Sequence, residues 1–141
     1  MIEFINPPEL AGRATPFSRA TKAAGLVFVS GHSAPHDPDG GKPRPETPQG
    51  QVREALATLD LILRAAGSDL SRVVQVTMLI TDPADYNACN EEYVKHFPNG
   101  LPARHTVRFG VPTEAKVAFS CIALANESGS RAVGQSGSGI G

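Results

Sequence analysis

The chain has 141 residues, 40% of them hydrophobic, with 13 basic and 14 acidic side chains and a net charge of −1. That suits one globular domain with its own core, and the scattered charges argue against nucleic acid, since no basic block follows a phosphate backbone. No apolar stretch could cross a bilayer, and Met1-Ile2-Glu3-Phe4 lacks the basic opening of a signal peptide, so a cytoplasmic protein without membrane contact is expected.

Residues 1–5 and 17–31 read as strands. Leu26, Phe28 and Ser30 alternate with Val27 and Val29, and Gly25 marks a turn or bulge before them. From His32 to Pro48 the chain is rich in Pro, Gly and Asp and reads as a surface loop. The period then changes. Val52, Ala55, Leu56, Leu59, Ile62, Leu63 and Ala66 recur at helical spacing, which predicts a helix over Gln49 to Ala66 closed by Gly67. Arg72 to Thr81 follows as a strand, with Val74, Val76, Met78 and Ile80 assigned to one face. Asp82 caps a second helix with Pro83 in its first turn. That helix is expected to run to about Phe97, with Tyr86, Cys89, Asn90, Tyr93, Val94 and Phe97 inward. Two more strands are expected at 103–109 and 116–125, and the Gly/Ser-rich residues 126–141 read as a flexible tail on a single domain, 1–125.

This order predicts an α+β fold, a mixed sheet with two helices on one face. Strands 72–81 and 116–125 look apolar on both faces, however, and no sequence remains for a third layer. A second copy of the chain is the simplest cover.

Arg104 is the first candidate site residue. It starts an extended, β-prone segment after Pro102, and its planar fork of donors matches a carboxylate bidentately. A half-solvated arginine pairing with a surface Glu is the alternative this segment leaves open. Cys89 and Cys121 form no CxxC motif and read as reduced core thiols, and the four histidines suggest no metal site.

Several short runs occur in a specific order. They are Pro16-Phe17-Ser18-Arg19-Ala20, Val27-Phe28-Val29-Ser30-Gly31, the helix Gln51 to Gly67, Val73-Val74-Gln75-Val76-Thr77, Asn90-Glu91-Glu92-Tyr93, and Phe97 with Pro102-Ala103-Arg104. Together they resemble the RidA/YjgF family of enamine/imine deaminases, over roughly residues 14 to 125. The resemblance implies a chorismate-mutase-like, YjgF-type fold in a homotrimer whose sheets form a central barrel, with ligand clefts between subunits and no cofactor. It also implies that Arg104 clamps the carboxylate of a 2-aminoacrylate-type substrate or a 2-oxo acid.

Three departures from the family pattern bear on chemistry. The Glu of the last strand, in an E-x-E pattern, is replaced by Ala118 and Ser120, the opening Tyr is Phe17, and the Gln after Ser-Gly is His32. His32 and His105 are then the candidate proton shuttles, with His32 favoured because strand alternation sends His105 to the face opposite Arg104. Ser30, Phe17 and Asn90 complete the expected substrate contacts beside Arg104, although packing serves equally well for Asn90 and Tyr93. Two function classes stay open: an enamine/imine hydrolase, and a non-catalytic trimer that binds small carboxylates as sensor or scaffold. Deaminase activity toward 2-aminoacrylate is expected to be weak or absent, and Ala118 is the first position at which to restore a Glu, ahead of Ser120.

Overall fold

A computed structural model describes residues 1–10, 14–36 and 41–126. Six strands form one sheet: β1 (Glu3–Ile5), β2 (Ala20–Ala23), β3 (Leu26–Ser33), β4 (Val73–Ile80), β5 (Ala103–Arg108) and β6 (Val117–Leu124). Their spatial order is β1-β2-β3-β6-β4-β5. Only β4 and β5 are parallel, and the segment between them carries the second helix, as a crossover requires. The expected mixed sheet with two helices on one face is therefore present. The expected flexible tail falls on residues 127–141, outside the described ones.

Helix α1 (Pro48–Ala65) forms for local reasons as well as tertiary ones. Thr47 Oγ1 accepts from the Gly50 N–H at 3.0 Å, and Pro48 occupies the first turn, where a missing N–H costs nothing. At the other end Gly67 takes φ +80°, which lets its N–H reach the Arg64 carbonyl and the Ser68 N–H reach that of Leu63. Between these caps Val52, Ala55, Leu56, Leu59, Ile62 and Leu63 are fully buried against Val27, Val76, Met78, Val117 and Phe119 of the sheet.

Helix α2 (Tyr86–Tyr93) is shorter than the sequence suggests, with a 3-10 turn at Pro83–Asp85 before it and another at Val94–His96 after it. The tightened ends rotate the face. Cys89, Tyr93 and Phe97 are buried as expected, but Tyr86 and Val94 are exposed. Helix α2 is tied to α1 by Glu92, which is 5% exposed and accepts from Arg53 Nη2 at 3.2 Å and Nε at 3.3 Å, with His96 at 2.9 Å. Burial alone would push this carboxyl up; its hydrogen bonds from His96 and Arg53, with Lys95 nearby, outweigh that and hold it below the ordinary carboxylate range.

Two irregularities correct the face assignments. Val73 pairs with Ala123 and Gln75 with Ile122, so Val74 is an extra residue in β4 and points outward rather than into the core. In β3, Val29 pairs with Cys121 and His32 with Phe119, so three steps on one strand match two on the other. The segment 17–31 holds a hairpin that turns at Ala24 (φ 54°) and Gly25 (φ 77°), where Gly25 marks a turn or bulge, as two-residue hairpins do. Its second strand runs on to Ser33, so His32 lies inside it and not in a loop.

The sheet face away from the helices is uncovered and carries apolar side chains alongside a polar row of Thr77, His105 and Ser120. Phe28 (41% exposed) stands opposite Ile122, Leu79 beside Val107, and Leu124 is exposed on the same face.

Candidate functional site

Arg104 lies on β5, the edge strand, in register with Val76 and hence on the helix side of the sheet. Its guanidinium carbon sits 4.6 Å from the centroid of the Tyr93 ring and 5.8 Å from that of Tyr86. Tyr93 is buried and backed by Phe97 at 4.9 Å and Phe119 at 5.8 Å, so the cation rests on a fixed aromatic floor. Arg104 Nη2 donates to the Tyr86 hydroxyl at 3.3 Å. An open pocket of about 570 Å³ lies over this group, lined by Ile80, Pro83, Tyr86, Arg104, His105 and Thr106. Among the described residues no carboxylate pairs with Arg104.

The Tyr86 phenol is held below its ordinary pKa by a hydrogen bond from the Asn90 side chain, then by the charge and N–H of Arg104 and by Thr106. Tyr93 differs: burial pushes its phenol up to about 12, and its hydroxyl, like Asn90 Oδ1, is buried without a partner. Asn90 lies one helical turn beyond Tyr86, half-buried, on the helix that carries both tyrosines. Tyr86 and Thr106 were not among the expected site residues. Tyr86 precedes Asn90 by four residues and Tyr93 by seven, so one helical face links all three, and that spacing was the available signal.

The remaining expected residues lie elsewhere in the chain. Strands β5 and β3 are separated by β4 and β6, about 14 Å at the usual strand spacing. Ser30 Oγ donates to the Ser18 carbonyl at 2.7 Å. Phe17 lines a different opening of about 580 Å³, with Asn6, Leu10, Ser18 and Arg19. His32 is buried at 7% exposure on the helix side, its Nε2 3.5 Å from the Arg19 carbonyl. Burial holds its pKa below the usual imidazole value, although the hydrogen bond to the Arg19 carbonyl opposes this and the Arg19 charge adds to it. His105 is on the open face as alternation requires, 3.0 Å from Thr77 Oγ1. Ser120 is paired with Thr77 on that same row, half-buried, whereas Ala118 is 4% exposed between Ser33 and Leu79.

Both cysteines are buried, which pushes the Cys89 thiol up to about 11 and that of Cys121 to about 12, so neither is a nucleophile near neutral pH. Among the described residues no group of three or more His, Cys, Asp or Glu could hold a metal ion. No helix there is long and apolar enough to cross a membrane.

Comparison with known proteins places these features in a family. The model described as Endoribonuclease L-PSP matches residues 9–125. The chain is 37% identical over 122 residues to Reactive Intermediate Deaminase A, chloroplastic, of Arabidopsis thaliana, covering 86% of itself and 65% of that longer protein. It is also 37% identical over 123 residues to RutC family protein y4sK of Sinorhizobium fredii, covering 86% of itself and 97% of the relative. Among solved structures, E. coli TdcF with bound serine superposes with a TM-score of 0.76 at 26% identity, over 88% of this chain and 99% of that one.

Burial of His32 predicts a pH dependence of stability. Its folded-state pKa is lowered, so the stability contribution is complete above about pH 6.5 and is lost as pH falls through the unfolded value toward the folded one. Thermal unfolding followed between pH 7.5 and 5 should show a falling midpoint, and His32→Gln should flatten that fall; an unchanged slope in the variant would refute the assignment.

Proposed function

The chain belongs to the Endoribonuclease L-PSP family, that of RidA and YjgF, and from this premise we propose that it acts on small enamine or imine intermediates bearing a carboxylate, held by Arg104 in a cleft between subunits of a homotrimer. The observation that carries the reading is a guanidinium laid on a buried tyrosine face, its fork at an open pocket and no internal carboxylate beside it among the described residues. Two relatives lend support. One carries the name of a reactive intermediate deaminase, and another holds serine, a small molecule that bears a carboxylate.

The chemistry asked of the site is modest. Water adds to the imine carbon, a proton reaches the nitrogen, and the carbinolamine collapses to a 2-oxo acid and ammonia. Anchoring the carboxylate supplies orientation, and a positioned acid or base supplies the proton transfer. Ser30 on β3 lies about three strand spacings from Arg104 within one chain, and Phe17 precedes β2, the next strand out. Assembly through the uncovered sheet face around Phe28 and Ile122 is what would let an edge strand of one subunit meet the β3 region of the next. A homotrimer is therefore part of the reading, and light scattering at micromolar concentration should give three times the chain mass; a monomer would sink the shared cleft.

The non-catalytic alternative draws on Ala118 and Ser120, neither of which can serve as a carboxylate base. It is separated from the first reading by turnover. Wild type should hydrolyse 2-aminoacrylate, generated in situ, more slowly than a Glu-bearing relative by ~10²–10⁴-fold. Ala118 and Ser120, two residues apart on β6, share the open face of the sheet, paired with Leu79 and Thr77. Ala118→Glu should raise the rate by roughly tenfold or more, and Ser120→Glu should do less. Carboxylate binding without turnover in wild type and in Ala118→Glu would favour a sensor or scaffold.

The anchor has its own test. Arg104→Ala should abolish measurable binding of pyruvate-like ligands, because truncating one partner of a desolvated charge pair costs on the order of 2–5 kcal/mol. Arg104→Lys should also weaken it, since a point charge does not replace the fork. Calorimetry returning equal affinities for wild type and Arg104→Ala would remove Arg104 from the site.

A further inference from the structure

We infer that Tyr86 is a specificity-determining residue, its hydroxyl a hydrogen-bond donor to the group on the carbon next to the ligand's carboxylate, so that the site takes 2-oxo and 2-imino acids and discriminates against 2-ammonium acids. The inference rests on the carboxylate-anchoring reading of Arg104 and goes beyond it, to the choice among carboxylates.

It follows from counting the valences of one oxygen. A phenol has one proton to give and two lone pairs to fill. Arg104 Nη2 donates to Tyr86 Oη at 3.3 Å, and a guanidinium has no acceptor with which to reverse that bond. One lone pair of Tyr86 is thereby engaged by a charged N–H group. The phenol proton is given to no acceptor among the described residues and is left for a ligand in the pocket that Tyr86, Arg104 and Thr106 line together. An oxygen that accepts from a cation is also the stronger donor, because each bond polarises the next.

Position does the rest. The donor stands beside the guanidinium, so a carboxylate seated on Arg104 brings its 2-substituent to the hydroxyl. A 2-oxo oxygen or an imine nitrogen offers a lone pair there. A 2-ammonium group offers only N–H bonds and faces the N–H groups of Arg104 as a like charge. Donation to an imine nitrogen also withdraws electrons from its carbon, the atom that water must attack. The charged and titratable groups at this pocket, among the described residues, are Arg104, His105 and Tyr86 itself, and His105 Nε2 is engaged with Thr77 on the other face.

Three probes separate the anchor from the reader: propionate (a carboxylate alone), pyruvate (an acceptor at carbon 2) and L-alanine (an ammonium there). NMR titration of wild type should find pyruvate bound about fivefold tighter than propionate, the worth of one net hydrogen bond, and L-alanine weaker than either. Tyr86→Phe keeps the ring over Arg104 and removes only the hydroxyl. It should leave propionate unchanged, bring pyruvate down to the propionate value and narrow the gap to L-alanine. A Tyr86→Phe protein that still prefers pyruvate by the wild-type margin overturns the inference, as does a wild type that binds L-alanine as tightly as pyruvate. Propionate binding intact in those cases leaves the Arg104 anchor standing, whereas loss of all three ligands in wild type overturns both.

Discussion

The candidate site depends on one contact, the Arg104 guanidinium against the face of Tyr93. A free arginine side chain holds many rotamers, and ordering it costs conformational entropy. Tyr93 removes that cost from any later binding step because its own ring is locked between Phe97 and Phe119 in the core. The floor is steady because α2 is steady. Glu92, one residue before Tyr93, is buried and clamped by Arg53 of α1 in a two-point contact, so the helix that carries the floor is tied to the best-packed helix of the domain. Stability and site geometry therefore share the same residues.

Placement of Arg104 on an edge strand has a second consequence. A side chain there has a neighbour on only one side, so its pocket is open, with Thr106 and Tyr86 along one wall. The uncovered apolar face supplies a physical motive for association. Leaving Phe28, Val107 and Leu124 exposed to water forfeits hydrophobic stabilisation that a second chain would recover.

Two bulges decide which residues share a face. Strict alternation would set His32 on the face opposite Val29, toward the open side of the sheet. The extra residue in β3 turns it back under the helices, where burial depresses its pKa, and strands β6 and β4 separate it from the pocket of Arg104. The same device in β4 expels Val74. A single added residue in a strand exchanges the faces of everything beyond it, so these two positions have more influence on site composition than any side-chain substitution within the strands.

Much of this was legible from the sequence. The long helix, its Gly67 end, the five main strand regions and the two-sided apolarity follow from periodicity, capping chemistry and composition, all local properties. Arg104 and Asn90 were legible as candidates, since a cation in a β-prone segment and an amide on a helix face are visible in one dimension. Tyr86 was not, because at its position a tyrosine completes an apolar helical face as well as it lines a pocket, and only the 3-10 turns flanking α2 settle which. Nor could alternation foresee the two bulges, which arise from pairing with β6, a strand distant in sequence. The sequence by itself determined which segments fold and which side chains could do chemistry; tertiary pairing decided which of them meet, because register and face are properties of two strands together and belong to neither alone.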